Sequence, residues 1–403
     1  MSKQILIIGT GFSGMWSALA AARLRHLADQ QAAVEITVIS PRPELHIRPR
    51  FYEADLAGMN PSLVALFDAA GVHYIAGTVQ QIHAQDHVVT YRDADGKEQL
   101  FSFDKLILAS GSTLFRPDIP GLKQHAFSVD QLDEAQQLEA HLQALAQRPA
   151  SKARNTVVVC GGGFTGIETA AEMPARLRTI LGKDAAIEVA IVERAAEIGP
   201  DLGAGPREVI EQSLRSKGVT MHLGQTVAAV DAGGITTADG SRIDADTVIW
   251  TAGARASALA AQINGERDSF GRLYVTPALR VGASDIYATG DVACAASDDL
   301  GNHALMSCQH AMNLGRSAGH NAMADVLGLP AIPYDQPVYV TCLSLGSDDA
   351  VYTEGWDRKV KMSGAEAAAL KANINTVWIY PPKADMAEIV IQADPASRPV
   401  QYF

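Results

Sequence analysis

The 403-residue sequence is poor in the features that mark small stapled folds, nucleic-acid binders and membrane spans. Its four cysteines, Cys160, Cys294, Cys308 and Cys342, lie far apart and include no Cys-x-x-Cys pair. Neither a zinc knuckle nor a disulfide framework is expected, no metal site is read, and a reducing cytoplasm suits the chain. Lysine and arginine form no long run and the formal net charge is -12. That excludes the basic footprint of a nucleic-acid partner and disfavours an anionic membrane surface. No apolar run approaches membrane-crossing length, and the first, Ile5 to Ile8, is broken at once by Gly9. It is too short for a signal peptide or a span, so any membrane contact is expected to be peripheral, at the inner face. What is abundant is apolar residue, 47% of the chain. At this length that exceeds one hydrophobic core and predicts two domains or more.

One pattern occurs twice, about 150 residues apart. In the first copy Ile5 to Ile8 reads as a buried parallel strand, Gly9-Thr10-Gly11-Phe12-Ser13-Gly14 as a turn, Met15 to Leu27 as a helix and Val34 to Ile39 as the next strand. In the second, Thr156 to Val159 precedes Gly161-Gly162-Gly163-Phe164-Thr165-Gly166, a helix follows from Ile167, and Ile187 to Val192 returns. Both are βαβ units with a GxGxxG turn. The first glycine permits the tight turn, the second admits a pyrophosphate, the third lets helix pack on strand, and the helix N-terminus attracts the phosphates. A GxGxxG turn alone is weak evidence; two of them, each between a strand and a helix, are not.

The residue that ends the second strand selects the nucleotide, because a carboxylate there accepts hydrogen bonds from a ribose 2′-OH and repels a 2′-phosphate. The second unit has Glu193, with Arg194 beside it to blunt the selection. The first has Ser40 with Arg42 nearby, a pair that taken alone suits a 2′-phosphate.

Between the units, Asp95-Gly96 predicts a hairpin of Val88 to Tyr91 with Gln99 to Phe103. Asp239-Gly240 predicts another, between Gly234 to Thr237 and the strand Thr247 to Trp250. Pro117 to Gly121 reads as a rigid exit and Arg148 to Ser151 as a linker. From about Ala331 the pattern predicts short strands near Val338 to Leu345 and Thr376 to Tyr380, with a helix between them opened by Ser363 and Glu366 in capping-box spacing.

A third motif lies downstream, Ile286-Tyr287-Ala288-Thr289-Gly290-Asp291. With Leu108-Ala109-Ser110-Gly111-Ser112 and Ile249-Trp250-Thr251-Ala252-Gly253, which close the two units, it resembles the FAD-dependent pyridine nucleotide oxidoreductases that carry two dinucleotide-binding units. The resemblance runs from about residue 4 to 320 and is strongest to type II NADH dehydrogenases, whose second fingerprint matches Gly161 to Glu168. It implies an enzyme that passes a hydride from NADH to FAD and electrons to a small-molecule acceptor, a quinone before others. It implies an α/β fold of two Rossmann-like domains, the second inserted in the first, with a small α+β C-terminal segment. The expected boundaries are 1–125 and 273–330 for FAD, 126–272 for NAD(H) and 331–403 for the last segment; a homodimer is left open.

Carried over residue by residue, the resemblance gives FAD to Gly9, Gly11, Phe12, Ser13, Gly14, Ser40, Pro41, Arg42, Arg48, Pro49, Val79, Ala109, Ser110, Gly111, Gly290 and Asp291, with Ser307, Cys308 and Gln309 at a helix start beside the flavin. NADH falls to Gly161, Gly163, Phe164, Thr165, Gly166, Glu193 and Gly253, and Glu168 lies between nicotinamide and flavin. The departures concern the acceptor. The family associates an Ala-Gln and a second Gln four residues on with quinone; here stand Cys308-Gln309 and Asn313. Val340 to Leu345 also resembles the redox-cysteine segment of sulfide dehydrogenases and sulfide:quinone oxidoreductases, with Cys308 the partner left for Cys342. A flavin-binding redox sensor with slow turnover is the third reading.

Overall fold

A computed structural model describes residues 2–396. Its largest sheet has seven strands. Ile286–Ala288, Lys105–Leu108, Lys3–Ile8, Val34–Ser40 and His73–His83 run parallel in that spatial order, and Val88–Asp93 and Glu98–Ser102 extend the edge antiparallel. The parallel part is covered on both faces, so Ile5, Leu6, Ile7, Leu106 and Ile107 are wholly buried and the strands read as unbroken apolar runs. A second, four-stranded parallel sheet follows in the order Val219–Leu223, Glu188–Glu193, Thr156–Cys160, Thr247–Trp250. The chain then returns to the first sheet through Ile286–Ala288. The expected pair of Rossmann-like units, one inserted in the other, is what the structure contains.

The Asp95-Gly96 hairpin forms as expected, with Gly96 at φ +80°. The second hairpin is corrected: Gly234–Thr237 pairs with Arg242–Asp244, and Thr247–Trp250 is a buried strand of the parallel sheet. Its run of four buried residues belongs beside Thr156–Cys160, which a solvent-facing hairpin partner could not match.

The C-terminal segment needs two corrections. Its sheet is Val340–Ser344, Ala350–Glu354 and Lys359–Ser363, all antiparallel. The segment expected as a strand at Thr376 to Tyr380 is instead helical, Ile374–Trp378 with a wide i→i+5 turn. Its β-branched composition suggested a strand, but Val340–Ser344 already has its partner in Ala350–Glu354, across the turn at Gly346. The helix Ala365–Asn373 exists, yet Gly364, not Ser363, stands at its N-cap. Ser363 is held in the ladder opposite Val351 and cannot cap.

What positions the site is one helix pair. Phe12–Leu27 follows the first glycine turn, and Cys308–Leu327 packs along it backbone to backbone. A Cβ on Gly315 would stand 2.5 Å from the Ser13 carbonyl oxygen, and one on Gly319 2.0 Å from that of Ser17. The Ser17 hydroxyl donates to the Gly315 carbonyl at 3.1 Å. The register Ser13–Gly315 and Ser17–Gly319 makes the helices parallel, so their N-termini open at the same end of the sheet.

The last segment ties the halves together. Ser213 donates to Asp349 at 2.5 Å and Lys217 pairs with Asp348 at 3.1 Å on the second unit. On the first unit Arg50 donates to Tyr380 at 3.0 Å and Arg23 to the Val390 carbonyl at 2.8 Å. Because a backbone carbonyl cannot give way, Gly319→Val is expected to cost about 3 kcal/mol or more. Thermal melting of the purified variant checks this; an unchanged melting temperature would mean the helices can separate without loss.

Candidate functional site

The two glycine turns have the same geometry. Gly9 and Gly161 sit at φ +106° and +118°, each pressed against the strand that closes its unit: an added Cβ would lie 2.5 Å from the Ala109 carbonyl oxygen or 2.9 Å from Thr251 Oγ1. Gly14 and Gly166 sit over them, with an added Cβ 2.0 and 1.9 Å from the Gly9 and Gly161 oxygens. Gly11 and Gly163, the middle glycines, face open space, with nothing within 4 Å of a built Cβ. They also stand at the N-caps of Phe12–Leu27 and Phe164–Leu181 without a side-chain cap, which leaves free N–H groups for an anion. Each cradle fits a pyrophosphate, and there are two.

The strand ends distinguish them. Glu193 is 7% exposed, and its two oxygens accept from the Gly162 amide at 2.7 Å and the Ala195 amide at 2.8 Å. It is a built part of the second cradle, while Arg194 is exposed. Ser40 is equally buried and shares a 3.0 Å hydrogen bond with Thr10, whose hydroxyl also reaches the Arg42 carbonyl at 3.2 Å. Arg42 turns outward towards Asp133 at 3.6 Å. Pro41 is exposed, Pro49 is half-buried, and Val79 is buried in His73–His83.

At the mouth of the first cradle Ser112 donates to Asp291 at 2.6 Å and accepts from Arg48 at 2.9 Å; Arg48 pairs in turn with Asp130. Gly290, at φ +66°, brings this turn against Ser13, where a Cβ would meet the hydroxyl at 2.4 Å. Ala109 is buried and Gly111 and Gly253 take positive φ at the two closing turns. Three buried oxygens about this mouth, Ser110 Oγ, Thr289 Oγ1 and Gln309 Oε1, have no hydrogen-bond partner among the described residues. Each such atom costs about 1–3 kcal/mol unless something satisfies it, so a polar ligand fits here. The Cys308–Leu327 helix begins at the same place, capped by Ser307, which accepts from the His310 amide at 3.4 Å.

Glu168 is 3% exposed and lies one turn into the second cradle's helix, behind Phe164 and Thr165. Lys371, from the C-terminal helix, pairs with it at 2.8 Å and donates to the Cys342 carbonyl at 3.0 Å; the Ser344 amide adds a 3.0 Å bond to the carboxylate. Burial pushes the Glu168 carboxyl up, against the pull of Lys371. Burial alone would discharge the lysine, but the Glu168 charge outweighs it and holds the ammonium protonated. Lys371 carries no motif in its Ala-rich helix, and sequence reading misses it. The one available signal was Glu168 itself, since a buried carboxylate needs a cation.

Of the two cysteines in the alternative reading, Cys308 is half-buried and Cys342 is buried. All four cysteines are free thiols. Burial pushes the Cys342 thiol up to about 11, and its Sγ points at the Ala367 carbonyl, 3.7 Å away. Burial raises Cys308 as well.

Comparison with known proteins agrees with this geometry. The sequence profile of the pyridine nucleotide-disulphide oxidoreductases matches residues 3–315. An NADH dehydrogenase-like protein of Mycobacterium tuberculosis is 43% identical over 401 residues, covering 98% of this chain and 99% of the relative. A demethylphylloquinone reductase of Synechocystis is 30% identical over 390 residues, 94% of this chain and 91% of the relative. The structure of NDH2 from Plasmodium falciparum in complex with NADH superposes with a TM-score of 0.76, covering 98% of each chain at 15% identity, and so shares the fold. Two matching dinucleotide cradles and a family match over most of the chain lead to one conclusion: the protein belongs to the pyridine nucleotide-disulphide oxidoreductase family and is an oxidoreductase.

Proposed function

We propose that the chain is an NADH dehydrogenase that binds FAD in the first cradle and NADH in the second and reduces a quinone. The observation that carries this is the duplicated cradle with a buried carboxylate at the second strand end alone. Residues 1–125 and 273–330 form the FAD-binding part, 126–272 the NADH-binding part, and 331–403 the covering segment in this reading. Relatives named as an NADH dehydrogenase-like protein and a demethylphylloquinone reductase support the donor and the acceptor class. Once bound, FAD supplies a two-electron carrier between nicotinamide and acceptor.

The protein's own groups do the rest. Gly9, Gly11 and Gly14 admit the FAD pyrophosphate to the N-terminus of Phe12–Leu27, and Asp291, held by Ser112, accepts from its sugar chain. Ser110, Thr289 and Gln309 offer the flavin or its neighbour the partners they lack within the chain. Gly161, Gly163 and Gly166 hold the NADH pyrophosphate, Glu193 the adenosine ribose, and Glu168, charge-balanced by Lys371, orders the nicotinamide side. The Cys308–Leu327 helix directs its positive end to the flavin, where negative charge gathers on reduction. Gln309 and Asn313, one turn apart, then face the acceptor on the opposite side from nicotinamide. No described helix is long and apolar enough to cross a membrane, so a lipid-soluble quinone would be met by peripheral contact at the cytoplasmic face. The raised thiols give no support to sulfide chemistry.

Denaturing the purified protein should release a yellow chromophore identified as FAD by chromatography; a colourless protein that FAD does not reconstitute would refute the proposal. Gly11→Val should keep the melting temperature of the FAD-free protein yet fail to take up FAD, because its Cβ enters the pyrophosphate space with no protein atom within 4 Å. Glu193→Ala should narrow the preference for NADH over NADPH in flavin bleaching by about tenfold. Equal bleaching rates with both nucleotides before mutation would show that Arg194 dominates. Cys308→Ser and Cys342→Ser should each leave the bleaching rate by NADH within about twofold; sulfide-driven bleaching abolished by either would restore the thiol reading.

A further inference from the structure

The helix face that begins at Gln309 continues with Asn313 and then Arg316. Arg316 is 4% exposed, and three contacts fix its guanidinium. Its Nη1 donates to Asn313 Oδ1 at 3.0 Å, its Nε donates to the Gln392 carbonyl at 2.7 Å, and its Cζ lies over the Trp16 ring, 3.8 Å from the ring centre. Burial pushes the group down to about 9, which leaves it charged at neutral pH.

The consequence is chemical. A guanidinium can only donate, so it takes the oxygen of the Asn313 amide and turns the NH2 away from itself. An amide free to flip offers a ligand either an acceptor or a donor. Held by Arg316, Asn313 presents its NH2, a donor, on the side away from the guanidinium. One turn towards the helix N-terminus stands Gln309, whose Oε1 is buried without a partner among the described residues.

We propose that Arg316 is a positioning residue that fixes Asn313 as a hydrogen-bond donor to a carbonyl oxygen of the acceptor, an inference that rests on the quinone reading above. It also assigns the C-terminal segment a part in acceptor recognition, because the Gln392 carbonyl holds the far edge of the same guanidinium. The shorter Asn in place of Gln then keeps its function through a fixed orientation instead of reach.

The test uses the FAD-loaded protein, NADH and a water-soluble short-chain naphthoquinone, with quinone affinity at equilibrium, steady-state kinetics and melting temperature read for each variant. Asn313→Ala and Arg316→Met should each raise the quinone dissociation constant and KM about tenfold, the loss of one oriented hydrogen bond, while NADH bleaches the flavin at the original rate. The double variant should be no worse than Asn313→Ala alone, since Arg316 acts through that amide. Asn313→Asp keeps the partner of Arg316 but has no N–H to donate. It should therefore match Asn313→Ala in quinone affinity without a fall in melting temperature, and it decides the question if Arg316→Met does not fold. Arg316→Lys, which lacks the planar fork, should fall between. Quinone affinity unchanged in Arg316→Met or Asn313→Asp, or effects that multiply in the double variant, would overturn the positioning role while leaving the quinone reading intact. Failure of the unmutated protein to bind or reduce the naphthoquinone would overturn both.

Discussion

The close contact between Phe12–Leu27 and Cys308–Leu327 is the constraint on which the site depends. Two helices far apart in sequence approach until a carbonyl of one occupies the space of a missing side chain on the other, at Gly315 and Gly319. Because they run parallel, two positive helix ends open at one mouth, beside Gly290 and Asp291. One end faces the pyrophosphate space over Gly11. The other is capped by Ser307, and in the proposed function it faces the negative charge that gathers at the ring end of the cofactor. A larger residue at either glycine would separate the ends and divide one site into two.

The second constraint is the buried pair Glu168–Lys371. Taking both charges out of water is costly, and their attraction repays this only with good geometry and further hydrogen bonds. Those bonds come from the Ser344 amide to the carboxylate and from the ammonium to the Cys342 carbonyl. Lys371 and the Ser344 amide, both from the C-terminal segment, converge on one side chain of the Phe164–Leu181 helix. The segment is therefore part of the site, and its other attachments, at Arg50 and Arg23 on the first unit and Lys217 on the second, hold the halves in one arrangement.

The fold was legible where backbone chemistry dictates residue type. Gly9, Gly14, Gly161 and Gly166 are required by contacts a Cβ would violate, and Glu193 marks its strand end because the carboxylate holds the loop amide of Gly162. Legibility failed where long-range partners decide. Thr247–Trp250 follows a hairpin signal but is claimed by Thr156–Cys160, and the turn at Gly355 to Arg358 carries no Asn-Gly or Asp-Gly to announce the hairpin it makes. Lys371 and Ser112 acquire meaning only through Glu168 and Asp291, more than 170 residues away from each. No local pattern encodes such a pair.

The central claim is that donor and acceptor meet one flavin from separate sides, the acceptor at the start of Cys308–Leu327. Anaerobic double-mixing stopped flow reads the two halves apart: NADH first bleaches the flavin absorbance, and a naphthoquinone added second restores it. With Gln309→Ala the bleaching should keep its rate while the recovery slows by about tenfold. Bleaching slowed instead, with recovery untouched, would place Gln309 on the nicotinamide side and contradict the arrangement.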